Sequence, residues 1–207
     1  MVSPNVTVWE QISENSPVTE VKIKNLPFDE IKQSDIRKTI VDNAGTITGI
    51  ILKDVSGDAW NYGFGQLIVG ETTEDSTIVP ISAELRLYDY TSNEEKILKY
   101  NLKYRPDGLN GQIIGFPKNA ENNTEKQALD TITLKNVANA KLTDFDGSEG
   151  IRTSNGYYKI SDEVQVYVTS LRKFITLNQA KADYTNFTLY AERTADKGGK
   201  IRFIMVS

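Results

Sequence analysis

The sequence predicts an all-β protein, and three observations carry that reading. Apolar residues recur with a period of two over most of the chain. Polar, glycine-containing clusters separate the alternating runs, and only one short stretch has the composition of a stable helix. The clearest alternation is Val164, Val166 and Val168 against Gln165 and Tyr167. Leu98, Tyr100, Leu102 and Tyr104 alternate in the same way with Lys99, Asn101, Lys103 and Arg105. The expected architecture is two small β-barrel or β-sandwich modules with at most one or two short helices.

Residues 1–19 read as an N-terminal extension or linker, and residues 20–110 as the first β module. Within it, Ile31, Ile36, Ile40 and Val41 fit one face of a short helix over 34–42, but their β-branching fits a strand equally well. Residues 84–90 and 96–105 form an expected hairpin around the polar turn 91–95. Residues 111–130, rich in Asn, Gly and Glu, read as a connector to a second module over 131–207. That module holds the helix candidate at 177–183, with Thr176 or Asn178 as its N-cap. It closes on a hairpin of 187–192 and 200–206, whose turn contains Gly198 and Gly199.

A short internal repeat suggests that the modules are related. Leu52-Lys53-Asp54-Val55-Ser56-Gly57 aligns with Leu142-Thr143-Asp144-Phe145-Asp146-Gly147, and aromatic residues follow each copy. A single sandwich is the alternative reading, since the repeat rests on three matched positions.

Composition excludes much chemistry. The 207 residues contain no histidine and no cysteine. A Ser-His-Asp triad, a Cys-His pair and a zinc site of the usual ligands are therefore impossible. With Lys+Arg 24 and Asp+Glu 28, the net charge of -4 offers no clustered basic face for nucleic acid. No run of about 18 apolar residues is present, so no membrane insertion by a helix is expected. The reading is non-enzymatic, with no cofactor.

Candidate motifs each have a plainer explanation. Asp144 and Asp146 beside Gly147 would suit a hard cation, but glycine and glutamate are absent where an EF-hand loop needs them. A turn is the preferred reading. Trp60, Tyr62, Tyr157 and Tyr158 are the candidate ligand-facing aromatics, able in principle to stack on sugar rings, although core packing is preferred for them. Lys99, Lys103 and Arg105 lie opposite Tyr100 and Tyr104 on a strand, which fits a solvated face. The acidic pairs Glu94-Glu95 and Asp162-Glu163 fall in expected turns and do not suggest a glycosidase pair.

Four stretches, 50–63 (IILKDVSGDAWNYG), 106–118 (PDGLNGQIIGFPK), 144–168 (DFDGSEGIRTSNGYYKISDEVQVYV) and 181–206, carry a family resemblance. Together they resemble the non-anchor region of bacterial surface proteins bearing S-layer homology domains, the kind found in anaerobic Gram-positive gut bacteria. The likeness spans most of residues 20–207 and consists of strand-and-turn wording, with no catalytic signature to carry over. It implies an extracellular location at the cell surface or cell wall, and a scaffold, spacer or adhesion role. The implied partners are other surface-protein domains or cell-wall components, glycan among them. Signal peptide and anchor are expected outside this segment. A carbohydrate-binding module using the named aromatics is the alternative.

Overall fold

The structure is a computed structural model that describes residues 1–69, 81–104, 106 and 108–207. It is mainly β, with 52% strand and one α-helix among the described residues, so the all-β expectation holds. The strands sort into three sheets, and each sheet is built from a contiguous stretch of chain.

The first sheet contains β1 (Val2–Glu10), β2 (Thr19–Glu20), β3 (Ile36–Val41) and β4 (Ile47–Leu52), in the order β2-β1-β4-β3. Residues 1–19 are thus no extension. Val6 and Val8 alternate with Thr7 and Trp9, and β1 lies parallel to β4. Val8, Val21, Leu26, Ile50 and Leu52 make a small core there. Pro4 is tolerated because the β1–β4 register shifts between Val2 and Thr7, where a missing N–H breaks no ladder bond. The ambiguous segment 34–42 resolves into a 3₁₀ turn, Gln33–Asp35, leading into β3.

The second sheet is antiparallel throughout. It holds β5 (Trp60–Val69), β6 (Ile81–Asp89), β7 (Glu94–Leu102), β8 (Ile113–Pro117) and β9 (Ile132–Thr133), ordered β7-β6-β5-β8-β9. The expected hairpin of 84–90 and 96–105 is β6–β7, with β7 ending at Leu102. Tyr100 is buried, but Tyr104 lies beyond the strand and is exposed, while Arg105 falls outside the described residues. The expected connector 111–130 contains β8, which pairs with β5 through five residues. Its run IIGFP is buried at every position, so it shows no alternation to mark it as a strand. Strands β5 and β6 approach so closely that a Cβ on Gly63 would collide with the Arg86 carbonyl oxygen.

The third sheet contains β10 (Lys135–Lys141), β11 (Phe145–Asp146), β12 (Gly150–Thr153), β13 (Gly156–Val168), β14 (Lys173–Ile175), β15 (Asn186–Ala191) and β16 (Lys200–Val206). Its order is β10-β15-β16-β13-β12-β11, with β14 also on β13. Helix α1 (Leu177–Asp183) links β14 to β15 at the expected position. Thr176 caps it: its Oγ1 accepts from the Gln179 N–H, and its own N–H donates to Gln179 Oε1 at 2.9 Å. Leu177 and Ala180 turn into a core with Ile151, Val166, Phe187 and Ile204. The expected closing hairpin is β15–β16, with Gly198 at φ +73° in its turn.

The repeated segments differ in surroundings. Gly57 and Gly147 both take positive φ in turns. Leu52, however, is wholly buried at the end of β4, whereas Leu142 is 36% exposed in a 3₁₀ turn. Asp144 accepts from the Lys141 backbone N–H at 2.7 Å, which is a turn role.

Candidate functional site

The loop 53–59, between β4 and β5, is where the three sheets meet. Glu10 ends β1 beneath it and is wholly buried. Its Oε1 accepts from the backbone N–H groups of Val55 (3.1 Å) and Ser56, and its Oε2 accepts from Ser56 Oγ at 2.9 Å. Burial pushes the Glu10 carboxyl from 4.5 up to about 7, and the nearby Asp54 and Asp58 charges add to the rise against the pull of the Ser56 bonds.

From the other side, β16 sends two cations into the same loop. Arg202 is 1% exposed and donates to Asp58 Oδ1, the Ser56 carbonyl, Ser161 Oγ (3.0 Å) and Glu192 Oε1 (3.2 Å). Its guanidinium lies 5.3 Å from the centre of the Tyr62 ring, and Tyr62 donates its hydroxyl to the Gly57 carbonyl at 2.9 Å. Lys200 Nζ lies 3.2 Å from both oxygens of Asp58. Asn25, from the 3₁₀ turn Ile23–Asn25, donates to Asp58 Oδ2 at 2.8 Å. Next to this set, Arg193 pairs with Asp54 at 3.1 Å and donates to the Val55 carbonyl.

The charges balance locally. Burial pushes the Asp58 carboxyl up, but Arg202 and Lys200 outweigh burial and hold it below its usual range. Burial and then the Arg202 charge push the Lys200 ammonium down, against the pull of Asp58. Such a cluster is tolerable only because nearly every charge has a partner.

A cleft of about 400 Å³ lies alongside, lined among others by Asp58, Trp60, Tyr90, Glu121, Gln165 and Arg202. Its walls are pinned by polar bonds between the second and third sheets. The Gln165 side chain accepts from Tyr88 N at 2.6 Å and donates to Tyr88 O at 3.1 Å. Lys118 pairs with Glu163 at 2.7 Å.

The four candidate aromatics do not form a platform. Trp60 (5% exposed) and Tyr62 (7%) sit with Ile113, Leu134, Tyr167, Phe174 and Phe203 in a core between the second and third sheets. Tyr158 belongs to the third sheet's own core. Only Tyr157 is exposed, and its ring covers Gly150, where any Cβ would collide with it. Trp and Tyr bury large apolar areas, so burial wins over display at three of the four positions.

Sequence reasoning missed Glu10, Asp58, Lys200 and Arg202. Lys200 and Arg202 alternate with Ile201, which reads as a solvated polar face. The available signal was the unbroken apolar run Phe203-Ile204-Met205-Val206 that follows, because continuous apolar strands are covered on both faces. Strand β16 is indeed parallel to β13 and buried along nearly its whole length.

No family model, curated protein or solved structure matches this chain.

Proposed function

We propose that the chain is a non-enzymatic structural segment of a bacterial cell-surface protein, acting as scaffold, spacer or adhesion part. The observation that carries this reading is the buried ionic junction. It ties the first long strand, β1, the 53–59 loop and the last strand, β16, into one body through Glu10, Asp58 and Arg202. A segment that holds a spacing under load needs its sheets braced against one another, and the contacts of Glu10, Asp58 and Arg202 support that reading. The surface location rests on the sequence resemblance described above, and the partners are then neighbouring surface-protein domains or cell-wall components.

The burial of Trp60, Tyr62 and Tyr158 disfavours the carbohydrate-binding alternative, which requires at least two exposed, coplanar rings. Titration with soluble cell-wall glycans, followed by tryptophan fluorescence, is expected to give no saturable change. A saturable change that disappears in Trp60→Phe would replace the scaffold reading with a glycan-binding one.

A further inference from the structure

We propose that Lys200 and Asn25 become joined by an intramolecular amide bond, formed by the chain itself with Asp58 as the proton carrier. The inference concerns the junction alone and does not depend on a surface location.

The geometry brings an amine, a carboxamide and a carboxylate together in one place. Asp58 Oδ2 is shared by both reacting side chains, at 3.2 Å from Lys200 Nζ and 2.8 Å from Asn25 Nδ2. The Lys200 and Asp58 side chains are 5% and 14% exposed, and Asn25 is half-buried beside them. A desolvated lysine beside another cation is an activated nucleophile, and Arg202 is that second cation. Three separate elements hold the groups: the 3₁₀ turn of Asn25, the 53–59 loop and the start of β16. Holding reactants in place in this way supplies much of the barrier lowering that an uncatalysed aminolysis lacks.

The reaction balances without any co-reactant. Lys200 Nζ passes a proton to Asp58 Oδ2 as it attacks Asn25 Cγ, so that Asp58, otherwise kept ionised by Arg202, carries the proton only in transit; the step requires the carboxamide to turn its carbon toward Nζ. Asp58 returns the proton to Asn25 Nδ2, the Cγ–Nδ2 bond breaks, and the nitrogen leaves with the remaining surplus proton as ammonium. The product is an Nζ–Cγ amide. Asn25 and Lys200 both line a cleft of about 970 Å³, which gives the ammonium a way out. Direct condensation of Lys200 with Asp58 would release water instead of ammonia, so the mass of the product separates the two linkages. The link would close a loop reaching from the first sheet to the last strand, constraining the unfolded chain as a long-loop disulfide does. This chain has no cysteine to form such a disulfide.

Denaturing mass spectrometry of the purified full chain tests the proposal. The expected mass is lower than the sequence mass by one ammonia. A tryptic digest should then contain a branched peptide uniting residues 25–32 with residues 198–202, uncut after Lys200. Lys200→Arg keeps a cation beside Asp58 but cannot form the amide, and it should show the full mass and a lower melting temperature. A wild-type chain that keeps its full mass after prolonged incubation overturns the proposal. So does ammonia loss mapped to an asparagine with Lys200 free, or water loss with Lys200 joined to Asp58.

Discussion

Replacing Arg202 by methionine is expected to lower stability by about 3–5 kcal/mol, the range for removing one member of a buried ion pair. The methionine fills much of the volume but leaves Glu192, whose side chain is 0% exposed, with Arg193 Nε at 3.9 Å as its one cation among the described residues. It also removes the Arg202 donors to the Ser56 carbonyl and to Asp58, leaving Asp58 with Lys200 and the Asn25 amide. Urea denaturation followed by circular dichroism measures the loss. A thermal melt should fall by about 2–4 °C for each kcal/mol in a chain of this size. Adding Glu192→Gln to Arg202→Met should recover part of the loss, since the stranded charge is then removed. A change within about 0.5 kcal/mol, ordinary for a surface substitution, would show that the junction does not hold the sheets together.

The second large effect concerns pH. Glu10 has its carboxyl raised from 4.5 to about 7 in the folded protein. Between those values the folded chain keeps Glu10 neutral while the unfolded chain ionises it. The stability contributed by this group is therefore complete below about pH 4.5 and is lost as pH rises to about 7, a fall of roughly 3 kcal/mol. Above that, an ionised Glu10 faces Asp54 and Asp58, with Arg193, Lys200 and Arg202 on their far sides offsetting the repulsion. Glu20 is the neighbouring acid on β2, pairing across from Trp9. Asp58 acts in a different window. Its lowered carboxyl gives stability that is present above its ordinary range near 3.8 and lost as pH falls through its folded value. Glu10→Gln copies the neutral form, because Oε1 can still accept the Val55 and Ser56 N–H groups and the amide can donate to Ser56 Oγ. The variant should match wild type near pH 4.5 and exceed it above about pH 7, with a flatter profile in between. Equal slopes for the two proteins across that interval would remove Glu10 as the titrating group.

Local features were legible in the sequence and long-range ones were not. Helix α1 could be read because Thr176 and Gln179 form its cap within four residues of each other. The hairpins β6–β7 and β15–β16 could be read because alternation and turn chemistry are also local. Strand β8 was missed because it is buried on both faces, so its side chains do not alternate. The parallel pairs β1–β4 and β13–β16 have no turn between their strands, so no turn chemistry announces them. The junction was hidden for the same reason. Arg202 meets Asp58 across 144 positions, and Glu10 meets Ser56 across 46. At such separations a charged residue looks the same whether it faces water or a partner. The aromatics give the converse case. Trp60 and Tyr62 stood out as aromatics following the first copy of the repeat, and their i, i+2 spacing does put both on one face, but that face is the core between the second and third sheets.

The most direct test of the central claim, that the junction makes one structural body of the chain, is native-state hydrogen exchange on the whole protein. Backbone amides of β1, β5 and β16 should share one opening free energy and exchange together as a single cooperative unit. Arg202→Met should lower that shared value in all three strands equally. If β1 exchanges well before β16, or if Arg202→Met loosens only β16, the three sheets are independently stable and the braced-scaffold account is wrong.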